Sequence, residues 1–431
     1  MRMRNRTFLA LTVMLVLSGG IFIGGTNYAL ANPSTPTNIP TFSTGPYPGA
    51  PSYTVYTNDS WYYAKNAYGA IDYSGTNASQ IINSCIGNNT WIKILQQTTN
   101  PIWIDSPIII PDNTLYCTFE GQDIVQSPQI TGGLKLSDGA NCDMFRVGQC
   151  CHQIHWFDLG MTGNKAGQTL NNSNGIHFAG TGCSSDCRIE RCSIIDFTEH
   201  CIYIEKLLSA SYILRNYLED SYGDSIHACG LINSIVSGNF LWSCHRGIYM
   251  NSTAYACQDN TISENKISHQ RYGAISSAGA IIIFNSTGND ILGNWIDDSV
   301  VGISLDTTYR GIISHNDIRT CKTYGIKLRY CAYLSIENNL VIGASYDTNS
   351  GYDGIYISAT GAGTHYCTFI GNLVSSTDFT NKVRMGINEE AGSDYNIYVS
   401  EYCTGAVTKN ISVTGAHSHV ASSYNGTSWI S

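Results

Sequence analysis

The chain has 431 residues, of which only 13% are charged, and carries a formal net charge of −9. Without residues 1–31, which hold three arginines and no acid, the charge becomes −12; nucleic-acid phosphates would be repelled, which argues against a nucleic-acid partner. Asn, Ser, Thr, Gly and Tyr abound, a composition that suits short strands and tight turns better than long solvated helices.

Residues 1–31 read as a signal peptide. Arg2, Arg4 and Arg6 form a basic start, residues 8–23 are mostly apolar, and Ala29-Leu30-Ala31 offers a cleavage site. Ser18, Gly19 and Gly20 interrupt the apolar part, and no later stretch is long enough to span a bilayer. The expectation is an exported protein, secreted or at the cell surface, with no membrane span after cleavage. Residues 32–55, rich in Pro, Ser and Thr, read as a linker. Residues 56–140 are expected to form an N-terminal cap and first rungs, 141–415 a solenoid, and 416–431 a tail over its last rung. Sixteen cysteines in an exported chain suggest several disulfides. Zinc at Cys150/Cys151 or Cys183/Cys187 is disfavoured, because the histidines nearby follow no finger spacing.

From residue 175 a short phrase recurs: a small residue, Ile, an outward residue, an apolar one. It begins as Gly175-Ile176-His177-Phe178, Cys201-Ile202-Tyr203-Ile204 and Ser225-Ile226-His227-Ala228, and runs on to Gly354-Ile355-Tyr356-Ile357 and Gly386-Ile387. Its isoleucines lie 26, 24, 22, 33, 22, 23, 29 and 32 residues apart. A second phrase interleaves with it: apolar, two residues, Asn, one residue, apolar. Asn216, Asn239, Asn265, Asn294, Asn316, Asn339, Asn372 and Asn410 occupy its centre, with Cys192 in an earlier turn.

Period-two apolar runs repeating every twenty-odd residues are the rungs of a β-solenoid: one rung cannot bury its apolar face, but a stack can. Asn at a fixed bend tolerates the left-handed backbone and can bond its equivalents above and below, so these asparagines are structural. The longer spacings predict loops that wall a groove.

These interleaved phrases resemble the pectate-lyase-like superfamily of right-handed parallel β-helices. Tyr68-Gly69-Ala70-Ile71-Asp72, followed by Thr76 to Ile82, resembles its first strand and N-terminal capping helix. Phe157 to Asn164 resembles an early rung. The resemblance covers residues 56–415 and implies an all-β fold. The scaffold itself hosts lyases, hydrolases, epimerases and surface proteins.

In that superfamily the Gly-Ile-x-Leu strand lines the substrate groove, and alternation turns the middle residue outward. The outward column is His177, Tyr203, His227, Tyr249, Ile282, Ser304, Lys327 and Tyr356; a second column holds Glu205, Cys229, Asn251, Phe284, Asp306, Arg329 and Ser358. Rings and hydrogen-bonding groups on one rigid face suit sugars, although Tyr and Thr are also ordinary strand residues. Asp224, His227, Tyr249, His245 and Arg246 form the candidate catalytic cluster, with His and Tyr moving protons and Arg246 or Arg329 neutralising a uronate carboxylate. Tyr222 to His227 resembles the Asp-Pro-His region of alginate epimerases without its proline. His177, Tyr203, Glu205, Asp306, Lys327, Arg329 and Tyr356 are candidate substrate binders. Asp297, Asp298 and Asp306, with Lys327 and Arg329, resemble the calcium-plus-base arrangement of pectate lyases; calcium would need several converging oxygens. Polygalacturonases resemble the scaffold too, but their Gly-His-Gly turn is missing.

The leading expectation is a lyase or epimerase acting on a uronate-containing polysaccharide. The alternative is a non-catalytic cell-surface or adhesion module that binds glycans.

Overall fold

The computed structural model describes residues 50–58, 60–95, 101–122, 133–252, 255–270, 278–361, 363–424 and the backbone of 429–430. The signal peptide and residues 32–49 of the expected linker lie outside the described residues; the first described strand, Tyr53–Asn58, overlaps the linker's end. Among the described residues no helix is long and apolar enough to cross a membrane.

The molecule is a parallel β-helix. An antiparallel set, Tyr53–Asn58, Trp61–Asn66 and Ile71–Gly75, opens it. The helix Ala78–Cys85 follows, its N-terminus capped by Asn77 Oδ1 accepting from the Gln80 N–H at 2.9 Å. Its buried face (Ala78, Ile81, Ile82, Cys85) covers the first rungs. Every later pairing between rungs is parallel until Ser423–Tyr424 meets Trp429–Ile430 antiparallel. The described strands fall into hydrogen-bonded sets of thirty and fourteen. The larger set is two faces of the solenoid, joined where Ile303–Ser314 runs round the corner and pairs on both.

The recurring isoleucines stack in register, from Ile176↔Ile202 and Ile202↔Ile226 to Ile355↔Ile387, and are fully buried. The small residue before each Ile is a packing requirement where it is glycine. A Cβ on Gly302 would lie 2.4 Å from the Gly325 carbonyl oxygen and 2.5 Å from Ile318. The neighbouring rung occupies that space.

The second phrase forms a buried asparagine ladder. Asn239 Oδ1 accepts from both the backbone N–H and the Nδ2 of Asn216 at 2.9 and 3.0 Å, and each Asn repeats this up to Asn372. Cys192 holds the preceding place, its N–H donating to Asn216 Oδ1. Two expectations need correction. The left-handed residue is not the Asn but the one before it: Arg215, Gly238, Glu264, Gly293, His315, Asn338 and Gly371 have φ between 51° and 66°. The Asn is there for its amide, which gives a buried bend both an acceptor and a donor. Nor does the ladder reach Asn410, which lies on the groove strand Lys409–Ser412; after Asn372 its place is taken by Glu401, whose Oε1 accepts from Asn372 Nδ2 at 3.2 Å. A second ladder, not expected from sequence, links Ser211, Ser234, Asn260 and Asn289.

The expected disulfides are absent among the described residues: all sixteen cysteines are free thiols. Twelve are buried, and they pack as small apolar side chains among the isoleucines.

Candidate active site

The groove face is built by strands whose middle residues point outward in one register. His177 pairs with Tyr203, Tyr203 with His227, His227 with Tyr249, Tyr249 with Ile282, Ile282 with Ser304, Ser304 with Lys327 and Lys327 with Tyr356. The column extends to Arg146 before His177 and to Asn388 after Tyr356. Four of its rings pack one against the next: His177 stacks on Tyr203 with centroids 4.7 Å apart, Tyr203 meets His227 tilted at 5.1 Å, and His227 meets Tyr249 edge-on at 4.8 Å.

Three residues before seven of the ten outward positions, all but Ile282, Ser304 and Asn388, lies a second line of polar groups at the corner of the solenoid. Asp143, Asn174, His200, Asp224, Arg246, Tyr324 and Asp353 occupy it. Asp224 was expected there; Asp143, Asn174, His200 and Asp353 were not. Their signal was available, since each directly precedes the residue before a buried apolar position of the repeat.

Asp224 is fully buried and gathers the cluster around it. Arg246 donates to its two oxygens from Nε and Nη2 at 2.7 and 2.9 Å. His227 Nδ1 lies 3.1 Å from Oδ2, and His245 Nδ1 lies 3.9 Å from Oδ1. Burial alone would raise the Asp224 carboxyl, but His227, His200 and Arg246 hold it well below the usual carboxylate range. Burial would lower His227; its hydrogen bonds to Asp224 and Cys229 outweigh that and push it up to about 9. His227 is therefore an imidazolium at neutral pH. Its Nδ1 lies against the carboxylate, with His200 Nε2 also 3.1 Å away, and its Nε2, which faces the Cys229 thiol at 3.7 Å, is the nitrogen that could exchange a proton with a ligand. The Arg246 guanidinium packs 3.3 Å from the centroid of Tyr249, fixing that ring against the same carboxylate.

His200 behaves oppositely. Its Nδ1 accepts from the Asp224 N–H at 2.8 Å, and burial lowers its pKa to about 3. The ring is neutral, with its hydrogen on Nε2.

His200, Asp224 and His227 are also the one described group close enough to suggest a metal site. The residues do not fit a metal. The backbone bond at His200 Nδ1 leaves Nε2 protonated, without a lone pair for a metal, and both oxygens of Asp224 are held by Arg246.

The expected substrate binders divide. His177 is buried with both nitrogens engaged, Nδ1 to Asp143 at 2.7 Å and Nε2 to Glu205 at 3.2 Å, so this pair is bound to itself. Burial and the nearby Cys229 and Glu205 raise Tyr203 above the ordinary phenol value. Asp306 and Arg329 form an ion pair one rung apart. Asp297 and Asp298 do not join them. Asp297 ends the strand Trp295–Asp297 on the other sheet, where Asp298 faces His269 at 3.4 Å. The three carboxylates never converge, which removes the expected start of a calcium site.

A cleft of about 740 Å³ runs from Arg246 and Tyr249 to Lys327 and Arg329, with Ile282 and Ser304 between them. Ala278 and Tyr352, from the two long insertions, help to wall it. The two clusters that looked separate in sequence thus border one cavity. Tyr324 stacks on Tyr356 at 4.8 Å and meets Tyr352 edge-on at 5.1 Å, closing the far end.

This geometry has counterparts among solved structures. The A-module of mannuronan C-5 epimerase AlgE6 of Azotobacter vinelandii aligns with a TM-score of 0.62 at 14% identity, over 80% of this chain and 93% of that chain. The AlgE4 A-module of the same organism gives 0.50 at 16% identity, over 80% and 96%. The chain is a right-handed parallel β-helix. A family model described as "Periplasmic copper-binding protein (NosD)" matches residues 216–402 of this β-helix. No curated protein matches the chain. At these identities the likeness to the epimerase modules is one of fold.

Proposed function

We propose that the protein is a polysaccharide-active enzyme of lyase or epimerase type, exported from the cytoplasm and acting on uronate-containing glycans in the groove. The observation that carries this reading is the pair His227 and Tyr249. They lie in register on adjacent strands, the first charged by a buried carboxylate and the second held by Arg246; Tyr249 and Arg246 line the end of a cleft that also holds Lys327 and Arg329, and His227 stands one strand beyond it. The structural neighbours named above are epimerases of a uronate polymer, which supports the substrate class. The basic, apolar start of the sequence and the matched periplasmic family support export.

Lyase and epimerase begin alike. A base takes the proton on the carbon beside the uronate carboxylate, and the electron pair moves into that carboxylate. In a lyase the pair then expels the neighbouring glycosidic oxygen, which needs a proton; in an epimerase a proton returns to the opposite face of the same carbon. In this reading Tyr249 Oη, one strand away and beside the Arg246 guanidinium, accepts the carbon's proton as the base, and His227 gives the compensating proton from Nε2 to the leaving oxygen or back to the carbon.

The test is incubation of the protein with acidic and neutral polysaccharides, followed by ultraviolet absorbance of unsaturated uronates, reducing ends and uronate composition. Absorbance identifies a lyase, altered composition alone an epimerase. His227→Ala is expected to abolish turnover without loss of folding; unchanged turnover overturns the assignment. Glycan binding without any chemistry would favour the adhesion module. The tight pairing of Arg246 with Asp224 and of Arg329 with Asp306 is the feature on which that second reading rests.

A further inference from the structure

Three cations line the cleft, and they are not equivalent. Arg246 is committed to buried Asp224, and Arg329 to Asp306. Each of these charges is balanced before a ligand arrives. Lys327 differs: among the described residues it has no carboxylate within ion-pair distance and no hydrogen-bond partner, Asp306 on the adjacent strand being bound to Arg329, and its Nζ lies 5.4 Å from the centroid of the Tyr324 ring. It is half-buried between the Tyr249 end of the cleft and the Tyr324–Tyr356 stack. A half-desolvated ammonium without a counter-charge is set up to gain from an incoming anion, because it has already lost part of its hydration. Burial and the neighbouring Arg329 also lower its pKa, which is the same desolvation seen from the proton's side.

Register gives the distance. Tyr249 pairs with Ile282, Ile282 with Ser304 and Ser304 with Lys327, so Lys327 stands three strands from Tyr249, about 14 Å along the groove. A linked pyranose advances a chain by roughly one strand spacing of this ladder. Between the two ends the floor is Ile282, which offers an apolar surface to a sugar face, and Ser304, which offers a hydroxyl.

We propose that Lys327 is the carboxylate-binding residue of a remote subsite, three sugar units from the reacting one, so that the ligand is an acidic oligosaccharide of at least four units. Tyr324 and Tyr352 wall this subsite and end the run. The arginines are framework: Arg246 positions Asp224 and Tyr249, and Arg329 holds Asp306. The inference rests on the functional reading above for which unit reacts, but the subsite itself is a binding claim.

The experiment is calorimetric titration of the full chain with oligogalacturonides and oligomannuronates of two to six units, with neutral mannohexaose as control. Wild-type protein is expected to bind one acidic series, with affinity rising between the trimer and the tetramer. Lys327→Met, which keeps the stem and removes the charge, is expected to weaken tetramer and hexamer by about tenfold and to leave the dimer unchanged. Lys327→Gln, with an unchanged melting temperature, guards against a packing effect. Equal affinity of dimer and hexamer, hexamer binding unaffected by Lys327→Met, or no binding of either acidic series overturns the subsite. Turnover that ignores Lys327 would overturn the subsite and spare the enzyme. Length-dependent binding lost in Lys327→Met without any turnover would spare the subsite and overturn the enzyme.

Discussion

Arg246 and Asp224, on adjacent rungs, share a two-pronged ion pair at 2.7 and 2.9 Å, and the carboxylate in it is wholly buried. That pair sets the charge of His227, the orientation of Tyr249 and the end of the cleft. The cluster is therefore one electrostatic unit.

Breaking the unit from one side should be costly. Arg246→Met leaves a buried carboxylate short of its strongest partner and is expected to lower the unfolding free energy by about 3 kcal/mol. Combining it with Asp224→Asn should recover part of that loss, so chemical denaturation of the two single variants and the double variant measures the coupling. Strict additivity would show that the pair is not a unit.

The two histidines give opposite pH dependences. His227 has a folded pKa of about 9, above its ordinary 6.5, so its stabilisation is complete below pH 6.5 and is lost as pH rises from 6.5 through 9. His200 has a folded pKa of about 3, so stability falls as pH drops from 6.5 toward 3, where the unfolded chain takes up a proton that the folded ring refuses. With Glu401, which also loses stability as pH rises, unfolding experiments should place the optimum on the acid side of neutrality, below pH 6.5. His227→Gln should flatten the alkaline limb and leave the acid limb in place.

Glu401 ends the asparagine ladder with one oxygen, Oε2, buried and unbonded, and burial pushes its pKa up to about 8. A carboxyl raised in the folded state stabilises below its ordinary value and loses that contribution as pH climbs from 4.5 through 8. Glu401→Gln keeps the acceptor for Asn372 and cannot ionise. At pH 9 it is expected to be more stable than the parent by on the order of 3 kcal/mol, read from denaturant midpoints, with the difference vanishing near pH 4.

Inside the ladder the opposite holds. Asn265→Ala removes the acceptor for the Asn239 N–H and for one hydrogen of its Nδ2, leaving the buried N–H without a partner and the amide with only the Ile213 carbonyl. A loss of about 2–4 kcal/mol is expected, whereas a loss under about 0.5 kcal/mol would mean that the ladder is ornamental.

The thiols supply a count. Cys183 is exposed, and Cys142, Cys150 and Cys229 are partly so; the other twelve are buried. A thiol reagent should label at most these four sites in the native protein and all sixteen after denaturation. A reducing agent should leave the unfolding midpoint where it was.

The solenoid, its outward column and most of the asparagine ladder were legible in the sequence because they are local and periodic. An apolar residue at every second position and a repeat of twenty-odd residues leave a stack of rungs as the way to bury Ile176, Ile202, Ile226 and their successors. The left-handed bend was assigned one residue too late, since a side chain that accepts hydrogen bonds and a backbone that turns left both favour Asn, and composition does not separate the two reasons. What only the tertiary structure decided is which charges meet. Asp297 and Asp306 are near in sequence yet point to different faces, because a corner of the solenoid separates their strands. Arg246 and Asp224 are twenty-two residues apart in sequence and bonded. The repeat gave His200 its place before Cys201-Ile202, but its role came from a single backbone N–H at its Nδ1. Periodicity specifies the scaffold because burial is additive along it. The site depends on distances of a few ångströms between rungs, and those exist only once the rungs are stacked.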